Sequence, residues 1–180
     1  MNEQHSDDTL RQIDELCNRP IESRLVLYNI SKELNFGHLI RTANAFGVSE
    51  IIVVGRRAMN RGGHCRTYGR TRRRHFHRLH DACRYLQDDG FSICGVEIMD
   101  QAVSVIEQPF TGSTAFMVGN ETIGLTDQQL DHCDHFVYVP QYGTAECLNV
   151  NVATSIALQQ FANWAGFSET KKQGGVFLSN

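Results

Sequence analysis

Three short clusters hold the residues of this chain whose types and spacing suit chemistry. The first is Asn35-Phe36-Gly37, followed by Arg41-Thr42-Ala43. Helical spacing turns Leu39, Ile40, Ala43 and Phe46 inward, with Gly47 at the C-terminal end. Arg41 is then a charge on a largely apolar helix, either a snorkelling surface cation or a group aimed at substrate. The second cluster is Gly119-Asn120-Glu121 with Gly124-Leu125. Glu121 can accept hydrogen bonds from an amine or a ribose hydroxyl, or serve as a carboxylate at a helix N-terminus. The third runs from Val137 to Leu158. Phe136-Val137-Tyr138-Val139 reads as a buried strand ended by Pro140, and a loop with Gly143 follows. Val150, Ala153, Ala157 and Phe161 then repeat at helical spacing, and the asparagines at the loop-to-helix join can cap free N–H groups. A strand end, a glycine loop and a helix N-terminus expose backbone donors and acceptors, which is how α/β proteins build small-ligand sites. An ordinary last strand and helix would read the same way.

The elements that must position these clusters alternate along the 180 residues. Ser6 caps an expected helix over 7–17. Strands are expected over 24–30, 51–54, 91–98 and 115–118, and helices over 36–46, 79–87 and near Asp127. The stretch 55–74 reads as a long polar loop, of the kind that is usually functional in a compact domain. Strand–helix alternation gives one α/β domain with a mostly parallel sheet and helices on both faces. The expected organisation is an N-terminal helical extension over 1–20, the domain over 21–167 and a tail over 168–180.

The net charge of −3 conceals an asymmetry. From Arg56 to Arg84 there are ten arginines and one acid, Asp81, so this segment carries +9 and the rest of the chain −12. A block this basic within an acidic protein suggests a face for RNA or another polyanion, read through Arg56, Arg57, Arg61, Arg66, Arg70, Arg72, Arg73 and Arg74. Tyr68, His75, Phe76 and His77 could stack on bases. A solvated arginine-rich loop is the plainer alternative.

No apolar run approaches the roughly 20 residues of a membrane span. The acidic, polar N-terminus resembles neither a secretory signal nor a transit peptide. The six cysteines lie at irregular spacings without C-x-x-C, as expected of reduced thiols in a cytoplasmic protein. His132, Cys133 and His135, beside Asp131 and Asp134, match no standard zinc spacing, so no metal is expected. Neither a dinucleotide fingerprint nor a phosphate-binding P-loop is present.

Taken in order, Asn35-x-Gly37-x-x-x-Arg41-Thr42-Ala43, Gly119-Asn120-Glu121-x-x-Gly124-Leu125, and Val139-Pro140-x-x-Gly143 with Leu148-Asn149-Val150 and Ala153 resemble the three motifs of the SpoU (TrmH-like) branch of the SPOUT RNA methyltransferases. The resemblance covers about residues 24–161. It implies an α/β fold with a C-terminal trefoil knot, which connection rules alone would treat as nearly absent. It also implies S-adenosylmethionine as cofactor, a homodimer, and methyl transfer to a ribose 2′-hydroxyl of tRNA or rRNA. Under that resemblance Arg41 and Asn35 act at the reacting ribose, supported by Glu121 and Asn149. Val96, Gly119, Asn120, Val139, Pro140, Gly143, Cys147 and Leu148 hold the cofactor. A guanidinium stays protonated in proteins, so Arg41 suits orienting a phosphate or ribose oxygen better than acting as a base. Two positions depart from the family pattern. Cys147 stands where Ser is common, and a thiol is the weaker hydrogen-bonding group. Glu33 stands where Pro is common. The competing function is a non-catalytic RNA-binding or ribosome-assembly protein that kept the fold.

Overall fold

The computed structural model of the chain describes residues 19–55, 71–174 and 176–177. The expected first helix over 7–17, and the arginines at 56, 57, 61, 66 and 70, lie outside the described residues.

Seven strands form one parallel sheet. They are β1 (Ser23–Leu27), β2 (Glu50–Val54), β3 (Arg72–Phe76), β4 (Ser92–Val96), β5 (Val103–Ser104), β6 (Thr114–Val118) and β7 (His135–Tyr138), in the order β3-β2-β1-β6-β4-β7-β5. Each pairing in this sheet is parallel. The helices are α1 (Glu33–Ala45), α2 (Leu79–Asp88), α3 (Asp127–Leu130) and α4 (Val150–Trp164), and a 3-10 turn spans Val105–Glu107. A small antiparallel pair, β8 (Lys172–Gln173) with β9 (Val176–Phe177), follows α4.

Alternation along the strands feeds two cores. Leu25, Leu27, Ile51, Val53, Phe116, Val118 and Val137 point to the side covered by α1 and α4, where Leu39, Ala43, Ala157 and Phe161 meet them. Val26, Ile52, Val54, Ile93, Ala115 and Met117 point to the other side, against Leu79, Ala82, Cys83 and Leu86 of α2. Every residue of β1, β2 and β6 is buried, as a sheet covered on both faces requires.

The end of the stretch 55–74, expected to be loop, instead enters strand β3 (Arg72–Phe76), in register with Glu50–Val54. Pairing explains why so polar a segment is extended. Arg74 Nε donates to the Glu50 carboxylate at 3.0 Å, Arg72 Nε lies 3.3 Å from it, and Phe76 packs on Tyr85.

Strand order decides where a site can form. The chain runs β1, β2, β3 outward, then crosses to β4, and β6 later enters between β1 and β4. Loops after β1 and β6 therefore leave the sheet in opposite directions, opening a crevice at the C-terminal strand ends, where open α/β sheets bind ligands.

Candidate active site

The crevice between β1 and β6 is closed by a hydrogen-bonded chain of three side chains. Asn149 Nδ2 donates to Asn35 Oδ1 at 3.2 Å, and Asn35 Nδ2 donates to Glu121 Oε1 at 2.8 Å. The backbone N–H groups of Ser31 and Lys32 donate to the same carboxylate at 3.0 and 3.1 Å. Burial pushes the Glu121 carboxyl up. The Asn35 amide and the surrounding backbone N–H groups outweigh that and hold it at about 2. Glu121 is thus a fixed anion at neutral pH, an acceptor and not a proton carrier.

Each member is placed by its element. Asn149 is the N-cap of α4, its Oδ1 taking the Asn151 N–H at 2.9 Å while its amide reaches Asn35. Asn35 lies in the first turn of α1, at 5% exposure. The helix starts at Glu33, earlier than the sequence suggested, with Lys32 as N-cap and no side-chain cap. Glu121 supplies that function by taking the Lys32 N–H. Glu33, where the family commonly has Pro, is the first helical residue, a position that suits proline because its N–H is free of intrahelical bonds.

The Gly119–Leu125 loop is folded tightly on itself. Asn120 and Gly124 exchange backbone hydrogen bonds at 2.9 and 3.0 Å, and a Cβ on Gly119 would sit 2.4 Å from the Gly124 carbonyl carbon. The Asn120 side chain accepts the Thr122 N–H and donates to the Asn29 carbonyl, tying this loop to the one after β1.

Beside this chain lies a cavity of about 420 Å³, walled by the ends of β4, β6 and β7, the Gly119–Leu125 loop and the first turn of α4. That volume is in the range of small-molecule sites. Of the eight residues expected to hold a cofactor, Val96, Gly119, Asn120, Val139, Cys147 and Leu148 line it; Pro140 and Gly143 do not. The Cys147 thiol is exposed at its edge. Gln141 also lines it and has its Oε1 buried without a protein partner, an acceptor available to a ligand donor.

Arg41 is exposed and stands apart from this chain. Six residues at about 100° each place it roughly 120° around α1 from Asn35. Its neighbour Thr42 ties α1 to α4, donating to Asn151 Oδ1 at 2.8 Å and lying 3.2 Å from Ser155 Oγ. Arg72 and Arg74, read as RNA contacts, both meet Glu50, and Arg74 also stacks on Tyr85 at 4.6 Å.

Sequence reasoning missed Glu97. It follows β4 directly and lines the cavity, with Oε2 taking the Leu125 N–H at 2.8 Å and Oε1 the Ile98 N–H at 2.9 Å. Its place at a strand C-terminus was the one available signal.

Comparison with known proteins matches this fold and these motifs. The SpoU rRNA Methylase family model matches residues 22–159. The tRNA (guanosine(18)-2′-O)-methyltransferase of Thermus thermophilus is 29% identical over 157 residues, covering 82% of this chain and 78% of the relative. A 23S rRNA (guanosine(2553)-2′-O)-methyltransferase of Bacillus subtilis is 31% identical over 161 residues, covering 83% of this chain and 64% of the relative. In fold, the chain is similar to the SpoU methyltransferase AviRb from Streptomyces viridochromogenes in complex with the cofactor AdoMet. The TM-score is 0.67 at 21% identity, over 84% of this chain and 64% of that one. The chain thus spans somewhat less than two thirds of these last two proteins.

Proposed function

The chain belongs to the SpoU rRNA methylase family, and we infer that it is an S-adenosylmethionine-dependent RNA ribose 2′-O-methyltransferase acting on tRNA or rRNA. The carrying observation is the Asn149–Asn35–Glu121 chain beside a nucleoside-sized cavity at the point where strand order reverses. Relatives named for both tRNA and rRNA guanosine 2′-O-methylation support the reaction type.

S-adenosylmethionine, when bound, supplies the methyl group. The residues present fit it. Gln141 Oε1 offers an unused acceptor, and Gly119 lets backbone close on the ligand. Val96, Val139 and Leu148 give the apolar wall. Asn35 is held in one orientation from both ends, so its amide is a rigid marker for a ribose near Glu121. Arg41 supplies a positive, planar fork that grips a phosphate or ribose oxygen of the RNA, a positioning role.

The homodimer belongs to this reading. Leu34 on α1 is 70% exposed and lies one heptad before Arg41, so both share a face, and Val152 on α4 is 44% exposed. A second copy covering that face would bring apolar cover to Leu34 and RNA-directed charge from Arg41 to a shared site. The trefoil knot, the division into residues 1–20, 21–167 and 168–180, and a cytoplasmic location complete the reading. Among the described residues no helix is long and apolar enough to cross a membrane.

The test is single-turnover transfer of labelled methyl from S-adenosylmethionine to total tRNA and total rRNA, with 2′-O-methylation mapped in cells with and without the gene. Absence of any transfer and of any gene-dependent site, in a protein that folds normally, would leave the non-catalytic RNA-binding reading.

A further inference from the structure

We propose that the cavity separates the cationic methyl donor from its neutral product by charge, and that Glu97 is the residue responsible. The proposal rests on the cavity being the S-adenosylmethionine site. Among the described residues, two carboxylates line the cavity, Glu97 and Glu121, and no Lys, Arg or His does. Such a wall favours a ligand carrying positive charge.

The two carboxylates are not equivalent. Glu121 takes the Asn35 amide and two backbone N–H groups, all on the side toward α1. Glu97 takes one backbone N–H on each oxygen, from Leu125 and Ile98. An ionised carboxylate oxygen accepts about two hydrogen bonds, so each Glu97 oxygen keeps capacity in a half-buried wall position. Its donors are neutral amides, and its formal charge has no cationic partner among the described residues. Local backbone makes room for it. Gly124 has φ +69, and a Cβ there would sit 2.3 Å from Glu97 Oε2, so any side chain would displace the carboxylate.

Methyl transfer turns the donor's sulfonium into a thioether, removing one positive charge from the ligand. A fixed negative charge in the wall therefore holds the donor more tightly than S-adenosylhomocysteine and eases product release. In a cavity open to solvent, one unit charge changes the affinity of a monovalent cation by roughly three- to tenfold. Glu97 also pins the Gly119–Leu125 loop through the Leu125 N–H, and loss of that pin weakens both ligands alike. The donor-to-product affinity ratio isolates the charge from the pin.

Calorimetry on the full chain, with S-adenosylmethionine, S-adenosylhomocysteine and sinefungin (an amine cation in place of the sulfonium), tests this. Glu97→Gln is expected to lower the donor-to-product ratio three- to tenfold, with sinefungin following the donor. Glu97→Asp keeps the charge on a shorter arm and should weaken all three while holding the ratio within about twofold. An unchanged ratio in a folded Glu97→Gln protein overturns the proposal and leaves Glu97 as a loop pin. If Glu97→Gln does not fold, the wild-type ratio decides: it should fall as salt rises, and a salt-independent ratio overturns the proposal. If none of the three ligands binds the folded wild type, the cofactor reading falls, and this proposal with it.

Discussion

The two ends of the sheet bury polar groups in opposite ways. At the N-terminal end, Glu50 is 2% exposed and gathers Arg24, Arg72, Arg74 and Tyr85. Arg24 also pairs with Asp89 and lies 4.0 Å over the Phe91 ring. Burial pushes the Asp89 carboxyl up, and the guanidinium groups of Arg24 and Arg19 outweigh it, so Asp89 stays below its usual range. At the C-terminal end, Asn149, Asn35 and Glu121 satisfy one another, while Glu97, lining the adjoining cavity, has one backbone N–H donor on each oxygen, and Gln141 Oε1 is buried without a partner. One end pairs opposite charges, although Arg24 Nε and Nη1 keep no hydrogen-bond partner; the other leaves acceptors with spare capacity at a cavity wall. Burial of charge alone therefore does not mark a functional site. Unspent hydrogen-bonding capacity beside a cavity does.

That contrast can be broken most forcefully at Glu50. Glu50→Gln should cost about 3 kcal/mol of stability, because a nearly buried Arg24 loses part of its compensation. Urea unfolding measures the loss, and methyl transfer per folded molecule should not change. A specific drop in transfer would mean the two ends are coupled.

Arg41→Ala should do the reverse. Transfer in a single turnover should fall about a hundredfold, the size positioning errors produce. Stability should stay within about 0.5 kcal/mol, as for an ordinary exposed site. Cofactor affinity should hold, and Arg41→Lys should rescue poorly because a point charge cannot replace a planar fork. Wild-type transfer by Arg41→Ala would remove this residue from the site.

A smaller effect is expected at the cavity edge. Cys147→Ser should keep or tighten S-adenosylmethionine binding by a few-fold at most, since a hydroxyl bonds better than a thiol. Calorimetry would reveal the opposite outcome, a clear weakening, which would make the thiol a packing contact.

The finest test uses pH. The Glu121 carboxyl sits at about 2, against 4.5 for the unperturbed group. Its contribution to stability is fully present above pH 4.5 and fades as pH falls toward 2. Glu121→Gln should therefore flatten that part of the acid-unfolding curve. An unaltered acid limb would show that the carboxylate is no better held in the folded state than in the unfolded one.

Much of this was legible in the sequence because the strands are apolar and the helices periodic. β1, β2, β4, β6 and β7 each carry an apolar run, and α1, α2 and α4 carry inward faces. β3 was not legible, because Arg-Arg-Arg-His-Phe has no alternation of apolar residues and is held extended by Glu50, more than 20 positions away. β5 has two residues, too few to show a period. In the candidate site, Asn35, Glu121 and Asn149 stood out as motif residues. Their direct linkage did not, since the bonds span 86 and 114 positions. Glu97 belongs to no spacing pattern and emerges only from the cavity it faces.

The late entry of β6 between β1 and β4 has a consequence for synthesis. β1 ends at Leu27, and the strand that covers its second edge ends at Val118. At about 5–20 residues per second, a ribosome needs several seconds to supply that partner. Through that interval a strand with an apolar Leu25-Val26-Leu27 run presents an unpaired edge, a configuration prone to join another chain. The side-chain network of the candidate site is completed later still, because Asn149 must emerge before Asn35 has both of its hydrogen-bonding partners. The nascent chain is therefore at its stickiest before its candidate site exists, a sequence of events in which chaperones have the most to do early and the Asn149–Asn35–Glu121 network closes last.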